Sequence, residues 1–142
     1  MEGDLRISFD NQKKAGADFY SSLQWSDDAI SFDVEKLAFR HGSDTLRNVS
    51  PFNIALRNES VSISELSLKN PQTNTEVELA YKQSPDSLFG HLKSYEFDLF
   101  KAQQCFLSEE YGEGILTTDL RLEGSPRARV LNGRVNLTDV HY

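Results

Sequence analysis

From Ile115 to Glu123 the chain alternates without a break: Leu116, Leu120 and Leu122 share one parity with Thr118, and Ile115, Thr117, Asp119, Arg121 and Glu123 fill the other. A period of two puts the leucines on one side of a strand, whereas on a helix it would scatter them around the cylinder. Gly124-Ser125-Pro126 is a turn signal. Val135 and Leu137 then resume the alternation, and Gly133 inside that run marks a bend or bulge. Residues 111–140 therefore read as strand, turn, strand.

The rest of the chain repeats this grammar. Leu5, Ile7 and Phe9 form one stripe, and Phe19, Ser21, Leu23 and Trp25 a second. Ile30, Phe32 and Val34 hand over to Leu37 and Phe39 across a phase slip at Glu35-Lys36. Phe52, Ile54 and Leu56 follow Pro51. Val61 and Ile63 hand over to Leu66 and Leu68 across a second slip, at Ser64-Glu65. A slip inside an extended run predicts a β-bulge or a corner. Val77, Leu79 and Tyr81, then Tyr95, Phe97 and Leu99, complete the series. About eight to ten strands at short spacing predict successive antiparallel hairpins. One segment departs from the rhythm: Leu99, Ala102 and Phe106 have helical spacing, which predicts a short helix over Phe100–Glu109.

At 142 residues the chain has the size of one domain with a sizeable core. A net charge of −7, with no basic and aromatic interleaving, argues against nucleic acid as a partner. No run of about 18 apolar residues is present to span a membrane as a helix, and no signal peptide is read at Met1. Cys105 is the single cysteine, which excludes an intramolecular disulfide and a cysteine metal cluster. It reads as a buried thiol on the apolar side of the helix. His41, His91 and His141 lack metal-ligand spacing and read as loop or surface residues. Asp27-Asp28 and Glu109-Glu110 read as solvated turns, and the sequons at Asn48, Asn58 and Asn136 as chance occurrences in polar turns. Neither a nucleophile elbow nor a phosphate loop is present, so the reading is non-enzymatic, with no cofactor and no metal.

The apolar stripes admit two architectures. One is a closed β-sandwich core; the other is an incompletely closed sheet whose dry face is a groove. Both place alternate residues on a dry face.

The terminal third bears on that choice. Tyr111-Gly112-x-Gly114-x-Leu116-x-x-Asp119-Leu120-x-Leu122-x-Gly124-x-Pro126, then Leu131-x-Gly133-x-Val135-x-Leu137-x-Asp139, resembles the repeat of the TamB family of AsmA-like, bridge-type envelope proteins. Tyr95 to Phe100 resembles the strand that precedes this repeat, so the likeness covers residues 92–142. Where the family often has a second proline, this chain has Ala128-Arg129-Val130.

The resemblance implies an all-β fold, a curved antiparallel sheet forming an open taco-like groove across 1–142. It implies a segment of a longer periplasmic protein, anchored to the inner membrane through a part outside this chain. Its expected partners are phospholipid acyl chains or unfolded outer-membrane protein strands, with an Omp85-type barrel engaged through the full-length protein. The residues expected to line the groove are Val77, Leu79, Tyr81, Tyr95, Phe97, Leu99, Leu116, Leu120, Leu122, Val135 and Leu137. Free sheet edges also permit edge-to-edge self-association. The alternative is a compact β-sandwich binding module for carbohydrate or protein, with Tyr20, Trp25 and Tyr142 as its surface aromatics.

Overall fold

A computed structural model describes residues 1–10, 15–100 and 113–141. Ten strands follow one another: β1 (Glu2–Asp10), β2 (Ala15–Ser26), β3 (Ala29–His41), β4 (Asp44–Asn48), β5 (Phe52–Arg57), β6 (Ser60–Lys69), β7 (Glu76–Gln83), β8 (Leu88–Asp98), β9 (Glu113–Ser125) and β10 (Ala128–His141). Every pairing is antiparallel, and all ten strands belong to one sheet. The all-β expectation is met. The short helix expected over Phe100–Glu109 falls, beyond Phe100, outside the described residues; Leu99 and Phe100, the last residues described before that stretch, are helical.

The topology is a meander in which each strand lies beside its predecessor. Its one complication is that β4 and β5 share a single position: β3 pairs with β5 along Ala29–Val34 and with β4 along Ala38–His41. Val49-Ser50-Pro51 separates the two halves, and Pro51 has no N–H to offer a ladder. The break is filled by a side chain. Asn48 Oδ1 accepts from the Leu37 N–H at 2.8 Å, and Nδ2 donates to the carbonyls of Glu35 and Ser50 at 3.1 and 3.0 Å.

Both phase slips read from the sequence are bulges. Glu35 is the extra residue between the pairs Ser21–Val34 and Tyr20–Lys36. Ser64-Glu65 stands against Ala80 alone, between the pairs Ile63–Tyr81 and Leu66–Leu79. These two bulges flank the β4–β5 break on either side, so three neighbouring positions are irregular at one height. Two further bulges lie in β8 at Tyr95-Glu96 and in β10 at Asp139-Val140, with Glu96 and Asp139 in left-handed backbone (φ 47° and 53°). Each bulge bends its strand and adds twist.

Register assigns the faces. In an antiparallel ladder, residues directly opposite share a face. One row crosses all nine positions: Gly3, Leu23, Phe32, Ile54, Ile63, Tyr81, Gly90, Leu122, Leu131. The apolar stripes of the separate strands are thus a single face. Its buried centre is Val34, Phe52, Leu66 and Leu68, with Phe19, Phe32, Leu37, Phe39, Leu46, Ile54, Ile63, Val77 and Leu79 packed around them. Among the described residues all ten strands are hydrogen-bonded into one sheet. Period-two alternation is silent on this point, because the number of sheets depends on where each hairpin docks.

Candidate functional site: an apolar sheet face

Three short rows complete the apolar face around the residues expected to line a groove. Leu68, Val77, Ser94, Thr118 and Val135 form one. Leu66, Leu79, Leu92, Leu120 and Gly133 form the next, and Phe97, Leu116 and Leu137 the third. Tyr81 and Leu122 lie in the row that crosses the whole sheet. Nine of the eleven expected residues therefore share one face.

Two do not fit. Tyr95 pairs with Glu76, on the opposite face, and is 51% exposed. The β8 bulge is the cause: it moves Ser94 inward and Tyr95 outward while Phe97 keeps its place against Leu116. Leu99 lies past the end of β8, outside the ladder.

Ser94 was not among the expected residues, and neither were the central Val34, Phe52, Leu66 and Leu68. Ser94 and Thr118 are both buried, and their hydroxyls bond each other at 3.0 Å; Ser94 Oγ also reaches the Leu116 carbonyl at 3.4 Å. Each hydroxyl thus satisfies the other, which lets a polar pair sit on a dry face. The Tyr81 hydroxyl donates to Gln83 Oε1 at 2.6 Å. The four aliphatic and aromatic residues carried the same alternation as every other strand, so the signal was present but undifferentiated.

Burial falls from centre to rim. Val34 is 0% exposed, whereas on the edge strands Ile7 reaches 53%, Val135 58% and Leu131 65%. Every residue of β10 is exposed, and β10 has a ladder partner only in β9. Nine positions at about 4.8 Å per spacing make the face about 38 Å wide along the sheet. Its centre is buried, the residues around that centre are half-buried, and its two rims present apolar groups to solvent.

The opposite face is polar. Asp18 accepts from Ser8 Oγ at 3.0 Å and lies 3.6 and 3.5 Å from the Lys36 and Arg40 cations. The Ser8 hydrogen bond, assisted by the two cations, holds its carboxyl below the usual carboxylate range. Lys69 Nζ meets Glu76 Oε1 at 2.8 Å, and this bond raises the Lys69 ammonium above its ordinary value. His91 Nε2 lies 3.3 Å from Asp119 Oδ1. The Arg6 guanidinium stacks 4.5 Å from the Tyr20 ring centre. Trp25 is on the apolar face, where its ring covers Gly3. Cys105 and Tyr142 lie outside the described residues. Among the described residues no three His, Cys, Asp or Glu side chains converge as a metal group.

No family model, curated protein or solved structure matches this chain.

Proposed function

We propose that this chain is a non-enzymatic lipid-handling segment of a TamB-like envelope protein, in which the apolar face takes up phospholipid acyl chains. The observation that carries the reading is the apolar row that crosses one continuous sheet from β1 to β10. A sandwich module would spend that face on a partner sheet. Here the rims keep Ile7, Phe9, Leu131, Val135 and Leu137 exposed.

In this reading the sheet is curved into an open trough. Support comes from the bulges of β3 and β6 beside the β4–β5 break, and from those of β8 and β10, because bulges bend sheets. Full burial of Val34 also fits a face folded towards itself. An acyl chain gains about 0.8 kcal/mol per buried methylene, so about ten methylenes contribute about 8 kcal/mol without any catalytic group. The free edge of β10 suits a second client of the same family, an extended outer-membrane strand adding by backbone pairing. In the proposal the segment works in the periplasm within a longer, inner-membrane-anchored protein that meets an Omp85-type barrel.

Native mass spectrometry of the purified chain, with extraction of bound lipid, tests this. The proposal expects co-purifying phospholipid that a hydrophobic dye displaces. A lipid-free protein that also fails to bind the dye would sink it.

A further inference from the structure

The polar face carries a depression of about 810 Å³ at one end of β2, β3, β4 and β6. Four cations line it, Lys36, Arg40, Arg47 and Lys69, against two carboxylates, Asp18 and Glu35. That is a local excess of positive charge on a chain of net charge −7.

Register explains why the space exists and what it lacks. A cross-strand row runs Ser8, Asp18, Ala38, Arg47, Lys69, Glu76. Ala38 is small and almost fully buried, and it forms a low floor between longer neighbours. Arg47 stands directly opposite Lys69, and like charges in that position destabilise a ladder. Lys69 is offset by Glu76, and the single Asp18 carboxylate serves both Lys36 and Arg40. Among the described residues the exposed Arg47 side chain has no hydrogen-bond or ion-pair partner.

We propose that this depression binds a phosphate monoester. The phosphate lies between Arg47 and Lys69, where a guanidinium offers paired donors and an ammonium a point charge. The organic part lies over Ala38. A volume in the range of small-molecule sites holds more than an inorganic ion. The site is independent of the apolar face, since the two lie on opposite sides of the sheet. The phosphate comes either from a soluble metabolite or from the headgroup of a lipid with a terminal phosphate.

The test is titration of the full chain at constant ionic strength with glycerol 3-phosphate, beside co-sedimentation with vesicles of phosphatidylcholine with and without phosphatidic acid. Saturable binding of glycerol 3-phosphate, weakened about tenfold or more by Arg47→Ala and unchanged by Lys82→Ala, establishes a soluble ligand. Binding only to phosphatidic-acid vesicles, lost in Arg47→Ala, establishes a headgroup site. Absence of both, or binding that Arg47→Ala leaves intact, overturns the proposal. Ligand-free melting separates loss of the site from loss of the fold. Relief of the Arg47–Lys69 opposition predicts that Arg47→Ala melts no lower than wild type, and a marked fall in its Tm would refute the electrostatic argument.

Discussion

Replacing Val34 by alanine probes the apolar core at its most enclosed point. Val34 is fully buried, opposite Ser21 on β2 and Phe52 on β5. The substitution removes the equivalent of two methylenes, about 1.6 kcal/mol at about 0.8 kcal/mol each. The vacated space adds a cavity contribution, because the ladder fixes the backbone on both sides. A total of about 2–3 kcal/mol follows. For a chain of this size, that lowers Tm by about 6–10 °C. Urea unfolding reads the same quantity as a lower midpoint with an unchanged slope. The comparison is Leu137→Ala on β10, on the same face but 45% exposed, where a loss below about 1 kcal/mol is expected despite the larger truncation. Equal losses at the two positions, or a loss at Val34 below about 0.5 kcal/mol, would refute the gradient of burial from centre to rim.

Three further outcomes follow from local geometry. Asn48→Ala removes the acceptor of the Leu37 N–H and the donor to two carbonyls at the β4–β5 break, and should cost about 2 kcal/mol in urea unfolding; a neutral result would mean the break needs no filling. Gly133 has φ 144°, and a Cβ there would run into the Asp119 carbonyl oxygen, so Gly133→Ala should speed amide exchange in β10 while β3–β6 stay protected. Asp18 has a depressed carboxyl pKa, so its contribution to stability is present above its unfolded value of 3.8 and is lost as pH falls through the folded one. The Tm gap between wild type and Asp18→Asn should therefore be constant above about pH 5 and shrink as pH drops below 3.8; a gap independent of pH would contradict the ion-pair description.

Much of this architecture was legible because parity survives folding. Strands with one wet face must alternate, so Leu116, Leu120 and Leu122 declare their face without any tertiary information. The slips at Glu35-Lys36 and Ser64-Glu65 were legible for the same reason, since an extra residue changes the parity of the apolar positions that follow. The slip at Tyr95-Glu96 was not. Tyr95, Phe97 and Leu99 keep one parity and are all large, and tyrosine tolerates either face because its ring is apolar and its hydroxyl polar. Ser94 was hidden by its type: a serine reads as wet, and only its pairing with Thr118 makes it at home on the dry side. The choice between one sheet and two, and the central position of Val34 and Phe52, depend on ladder order, which period-two patterning does not encode. The basic depression was equally invisible, because Arg47 and Lys69 are 22 residues apart and meet only through register.

The proposed uptake of acyl chains confines them to the apolar face. A photo-crosslinking residue placed in turn at Leu79, Phe97 and Leu120, and at Lys93 and Thr117 on the polar face, tests it most directly with phospholipid vesicles. Lipid adducts are expected from the first three positions and none from the last two. Adducts from both faces, or from neither, would contradict it.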